Sequence, residues 1–138
     1  EGMHGFHALA RHKTATAPQG IIIFRFNGPL VFFNAGHFRQ ALLAAAADGA
    51  PRAVVLDLLP VTEVDVTGLF TLKELTETLA RRGIALVGAG RQTEWRNWME
   101  ARGFNPDAIA LYPTLRQAVL ALTEAGAGEG AAAAPPGG

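Results

Sequence analysis

The chain of 138 residues contains no cysteine and no serine. Missing cysteine excludes disulfides and thiol nucleophiles, and it fits a reducing compartment. Missing serine excludes a Gly-x-Ser-x-Gly nucleophile elbow and every serine triad. Charge of one sign is also missing in excess: 12 basic residues balance 12 acidic ones. With no basic stripe to neutralise a phosphate backbone, nucleic acid is not an expected partner. No apolar run approaches the roughly 20 residues that a spanning helix needs, because the longest, around residues 20–24, is broken by Arg25 and Asn27. The N-terminus has no apolar signal-peptide core. It begins with Glu1 and lacks an initiator methionine, which suggests a fragment excised from a longer protein, soluble by itself.

Apolar residues make up 49% of the chain, enough for one globular core. Residues 1–124 are expected to form a single domain, with residues 1–19 an extended lead-in that includes a short edge strand near residues 6–10. Residues 125–138 are almost entirely Gly, Ala and Pro and are expected to be a disordered tail. Between these lie β-branched and aromatic strand signals at residues 21–26 and 30–33, separated by the turn Asn27-Gly28-Pro29 and expected to pair as a hairpin. Asn34 is placed to cap a helix whose apolar positions are Phe38, Ala41, Leu42 and Ala45. Residues 53–58 form a nearly continuous apolar run, interrupted only by Asp57, as in a strand covered on both faces. A second helix carries Leu72, Leu75 and Leu79 on one face and the i,i+4 pair Lys73 and Glu77 on the other. Residues 84–88 form a strand, and a helix near Thr93 carries Trp95, Trp98 and Met99. Residues 108–111 form a last strand, and Thr114 with Gln117 makes a capping box for a final helix. Strands alternating with helices predict an α/β layer fold: a mixed, mostly parallel sheet of about four to six strands with about four helices.

Two segments carry a family resemblance. Gly20-Ile-Ile-Ile-Phe-Arg-Phe-Asn-Gly-Pro-Leu-Val-Phe-Phe-Asn-Ala35 resembles the opening of STAS domains attached to SulP-type anion transporters. Val55-Leu56-Asp57, followed by Val61-Thr-Glu-Val-Asp65-Val-Thr67-Gly68-Leu69, resembles the loop that STAS domains place between the third strand and the second helix. The resemblance runs more weakly from about Gly5 to Leu122. It implies the STAS fold and a non-enzymatic module on the cytoplasmic side of the bacterial inner membrane, part of an integral transporter of sulfate, bicarbonate or a dicarboxylate. The implied role is regulation or assembly through protein contacts. The implied partners are the membrane domain of the parent, a cytoplasmic regulatory protein, a second copy of the domain, or a nucleotide. STAS domains also occur alone as anti-sigma-factor antagonists, in which the residue before this glycine is a serine phosphorylated by a partner kinase. Thr67 holds that position, so a stand-alone protein switched by phosphorylation at Thr67 is the alternative.

The residues read as follows. Asp65 is an N-cap for the helix opening at Val66, its carboxylate accepting from the amide of Thr67 or Gly68 at the positive end of the helix dipole. Thr67 presents a hydroxyl there, and Gly68 leaves room for close approach. A phosphate on Thr67 would add roughly −1.5 to −2 charge, favoured by the helix N-terminus and opposed by Asp65. Gly90 and Arg91 follow a strand and open a helix, a weaker place for a phosphate or nucleotide, although no Gly-x-Gly-x-x-Gly or Gly-Lys-Thr motif is present. His4, His7 and His12 have no carboxylate among them and are read as solvated, so no metal site is expected. Asp57 ends a buried strand, with only Glu63 and Asp65 near it in sequence. No catalytic set and no cofactor are expected.

Overall fold

The computed structural model describes residues 11–17, 20–27 and 35–132. Strands β1 (Arg11–Ala17) and β2 (Ile21–Asn27) are followed by α1 (Ala35–Ala47), β3 (Ala53–Asp57), α2 (Val66–Arg81), β4 (Ala85–Ala89), α3 (Gln92–Ala101), β5 (Ala110–Tyr112) and α4 (Leu115–Ala132). The five strands form one sheet in chain order. β1 runs antiparallel to β2, and the β2–β3, β3–β4 and β4–β5 pairs are parallel. The mixed, mostly parallel sheet with four helices expected from the sequence is therefore present among the described residues.

Each parallel crossover steps in the same direction along the sheet. Because crossovers share one hand, the connecting helices fall on the same face. Phe24, Val54, Leu56 and Leu86 point to that face and pack with Phe38 and Leu42 of α1, with Leu69, Leu72, Leu75 and Leu79 of α2, and with Trp95 and Met99 of α3. Strand side chains alternate, so Ile21, Ala53, Val55, Val87 and Ala89 point the other way and meet Ala118 and Leu122 of α4. β3 is buried at every position, as its nearly continuous apolar run implied.

Several sequence expectations need correction. Residues 21–26 do form a strand, but its hairpin partner is β1: Ala17 faces Ile21 and Arg11 faces Asn27. The other edge of β2 is taken by β3, from Ile21 opposite Ala53 to Arg25 opposite Asp57. With both edges occupied, β2 gets its antiparallel neighbour from the lead-in. Residues 30–33, Asn34 and the edge strand expected near residues 6–10 lie outside the described residues. The final helix continues to Ala132, into the stretch expected to be a disordered tail. Alanine, the strongest helix former, recurs there and extends a helix already nucleated against the sheet.

Local signals were more reliable. The Thr114 hydroxyl accepts from the Gln117 amide at 3.1 Å, and it donates to the Gln117 side-chain oxygen at 3.2 Å. Lys73 Nζ reaches Glu77 Oε2 at 2.9 Å. That hydrogen bond, and then the ammonium charge, hold the Glu77 carboxyl below its usual range. This exposed pair's small contribution is therefore present above the ordinary glutamate pKa and lost as pH falls through the lowered value.

Gly88 sits in β4 between Leu56 and Leu111 of the neighbouring strands. A Cβ there would come within 2.8 Å of methyl carbons of both Leu58 and Leu111. Gly88→Val should overpack this face and cost about 1–3 kcal/mol, read as a lower urea midpoint at unchanged m-value.

Candidate functional site

In open α/β sheets, ligands and partners meet the loops beyond the carboxyl ends of the strands. Among the described residues those loops include residues 58–65 after β3 and residues 90–91 after β4. The sequence marks both, and the structure brings them into contact.

Asp65 has extended backbone angles (φ −108°, ψ −179°), and its carboxylate Oδ1 accepts from the Gly68 amide at 2.9 Å. Its carbonyl accepts the first helical bond, from Leu69 N–H at 3.0 Å. Thr67 is half-buried and Gly68 is buried in the first turn. The Thr67 carbonyl accepts from the Thr71 hydroxyl at 2.9 Å. Asp65→Ala should destabilise the domain by about 1 kcal/mol through loss of this cap, measured by chemical denaturation. Asn at this position should recover most of the loss, since its side-chain oxygen can accept the same bond.

Arg91 adopts a left-handed backbone conformation (φ 52°, ψ 34°) that non-glycine residues rarely occupy. Its guanidinium is engaged twice. Nε donates to the Leu59 carbonyl at 2.8 Å, and Nη1 meets Glu94 Oε1 at 2.8 Å. Gly90, also at positive φ, lies so close that a Cβ would be 3.2 Å from the Leu59 amide nitrogen. The only cation that the sequence offers for a phosphate at this turn is thus spent on the neighbouring loop and on its own helix.

Asp57 is buried at the end of β3. The sequence reading set it beside the carboxylates Glu63 and Asp65, but its partner is the residue opposite it on β2. Arg25 Nε donates to Asp57 Oδ2 at 2.9 Å, and Arg25 Nη2 approaches the same oxygen at 2.8 Å. The other oxygen, Oδ1, accepts from the Leu59 amide at 3.1 Å. Strand register supplies this pairing, and no local pattern in the sequence announces it.

Leu59 is the residue that sequence reasoning missed. Its amide is held by Asp57 and its carbonyl by Arg91, yet the residue is 58% exposed. Val66 and Phe70, one helical turn apart on α2, are 43% and 59% exposed. Phe70 stacks edge-on against Phe104 with ring centroids 5.0 Å apart. Trp95 is fully buried, and Trp98 packs beside it at 5.5 Å and against the core. Among the described residues Phe70 is an exposed aromatic, and Trp98 is half-exposed. Among the described residues no group of histidine and carboxylate side chains could hold a metal ion. No helix among them is long and apolar enough to cross a membrane.

Residues 12–118 match the family model described as the STAS domain. A probable sulfate transporter of Mycobacterium tuberculosis is 33% identical over 103 residues, which cover 72% of this chain and 18% of that protein. The chain therefore spans less than a fifth of that relative's length. The murine solute carrier 26 family member A9 anion transporter in its inward-facing state superposes with a TM-score of 0.68 at 24% identity, over 80% of this chain and 19% of that one. An anti-sigma factor antagonist from Mycobacterium paratuberculosis superposes with a TM-score of 0.63 at 29% identity, over 81% of this chain and 94% of that one. The mixed sheet with its four parallel strands and four helices among the described residues is the STAS fold, and the chain belongs to the STAS domain family.

Proposed function

We propose that this domain is the cytoplasmic STAS module of a SulP-type anion transporter, regulating or assembling it through contact with the membrane domain on the cytoplasmic side of the bacterial inner membrane. The observation that carries this is the identity to a sulfate transporter over most of the chain but only a small share of that protein. A module occupying so small a part of a transporter acts on the remainder. The site fits contact better than chemistry: Asp57, Arg25 and Arg91 are committed to the scaffold, and Leu59, Val66 and Phe70 are exposed. Anion uptake into vesicles tests this, comparing the full-length protein with a form lacking the domain. Full uptake and normal assembly without the domain would remove the proposed role.

A stand-alone anti-sigma-factor antagonist is the second function with specific support, because the Mycobacterium paratuberculosis antagonist is matched over nearly its whole length. In that case Thr67, in the first turn of α2, is the phosphorylated residue. Thr67→Glu then abolishes binding to a kinase-type partner, whereas unchanged binding of Thr67→Glu ends the switch.

A further inference from the structure

Helix α3 is attached differently from its neighbours. α1, α2 and α4 each bring their backbone close to another element, whereas α3 approaches every other element more sparsely. Its buried side chains are Trp95 and Met99, and their bulk spaces the helix backbone away from the core that they fill. Trp95 Nε1 is buried with no acceptor from the protein, and it stands alone in this among the buried side-chain atoms of the described residues. A buried donor without an acceptor disfavours the arrangement that buries it. The entry to the helix adds to this. Arg91, the N-cap, has a left-handed backbone, and its side chain caps no amide. Such a conformation is strained at a residue with a Cβ and persists where the surroundings enforce it. The enforcing contacts lie at the rim of α3. Arg91 Nε donates to the Leu59 carbonyl at 2.8 Å, Gln92 Nε2 to the Leu111 carbonyl at 2.8 Å, and Arg96 Nη1 to Asp107 Oδ1 at 3.2 Å. The first and last of these are exposed, so water readily replaces them. Glycines at positive φ flank the helix, Gly90 at 96° and Gly103 at 79°. Glycine absorbs backbone rotation at little steric cost, as a hinge requires.

We propose that α3 is a hinged element that opens as a unit ahead of the rest of the domain, turning at Gly90 and Gly103 and latched shut by Arg91. Opening hydrates the Trp95 N–H and uncovers Trp95 and Met99 while the sheet stays intact. Because the latch closes on the Leu59 carbonyl, Leu59 loses one of the two side-chain ties on its backbone in the same motion.

The absence of native cysteine gives a direct test. Met99→Cys on α3 and Leu75→Cys on α2 each place one thiol at a fully buried position. Each variant is labelled with a maleimide dye while folded, and its rate is normalised to its own unfolding free energy. Met99→Cys should label about tenfold faster or more, with a weak dependence on dilute urea, because local opening exposes little surface. Leu75→Cys should show the full urea dependence of global unfolding. Adding Arg91→Ala keeps a Cβ on the left-handed backbone and removes the guanidinium. It should speed Met99→Cys labelling about fivefold further and leave the normalised Leu75→Cys rate unchanged. In the unsubstituted chain, the protection of Trp95 Nε1–H from hydrogen exchange should match that of the α3 amides. It should lie about tenfold or more below that of the Val54 and Val55 amides in β3. Equal normalised rates and equal urea dependence at the two thiols overturn the hinge. So does protection at Trp95 equal to that in β3, even where Met99→Cys labels fast, because the substitution itself has then loosened α3. Met99→Cys labelling unchanged by Arg91→Ala overturns the latch.

Discussion

Phe24→Ala is expected to lower the unfolding free energy by about 3–5 kcal/mol. Phe24 is fully buried in β2, on the face covered by α1, α2 and α3. Its ring meets Phe38 of α1 edge-on, with centroids 6.0 Å apart and an interplanar angle of 73°. Truncation removes the transfer free energy of the ring and leaves a cavity between β2 and α1, because β2 is hydrogen-bonded on both edges and cannot move in to fill it. Small domains are stable by about 5–15 kcal/mol in total, so the variant should be partly unfolded or close to it at moderate temperature. Urea denaturation followed by circular dichroism checks this. Leu120→Ala on the exposed side of α4 should stay within about 0.5 kcal/mol of wild type.

Asp57→Ala is expected to cost about 2–3 kcal/mol, and to loosen the loop at Leu59 as well. The carboxylate accepts two charge-assisted contacts from Arg25 and one hydrogen bond from the Leu59 amide. Removing one member of a buried pair costs about 3–5 kcal/mol when the other is left unsolvated. Arg25 is nearly half-exposed and can rehydrate, so the loss is smaller here. Asp57→Asn keeps an acceptor for Leu59 but loses the charge opposite Arg25, and should fall between alanine and wild type. Hydrogen exchange at the Leu59 amide separates the two effects. It should accelerate strongly in Asp57→Ala and much less in Asp57→Asn.

These two sites also show how far the sequence could be read. The α/β class, the order of elements and the capped turn at Asp65 follow from period and local chemistry, because strand alternation, helical spacing and N-caps act within a few residues. The buried run at 53–58 announced a strand covered on both faces, and β3 is that strand. Pairing is different. That β2 takes β1 rather than residues 30–33 as its antiparallel neighbour depends on which edge β3 leaves open, and no local pattern encodes that. The same holds for Arg25 and Asp57, 32 positions apart and joined by strand register. Leu59 illustrates the limit most clearly. In sequence it is one more leucine after an apolar strand. Its outward direction becomes visible only once Asp57 and Arg91 are seen on either side of its backbone. The motif residues Asp65, Thr67 and Gly68 were legible as a group, and so were Gly90 and Arg91 as a turn. That Gly90 and Arg91 meet the other loop at Leu59 was not.

The STAS domain is proposed to act on the membrane-embedded part of an anion transporter. Binding of the dye-labelled domain to lipid nanodiscs carrying that membrane part, expressed without the domain, tests the proposal most directly. The transporter reading predicts saturable binding that unlabelled domain competes away. Binding no stronger than to empty nanodiscs would contradict it.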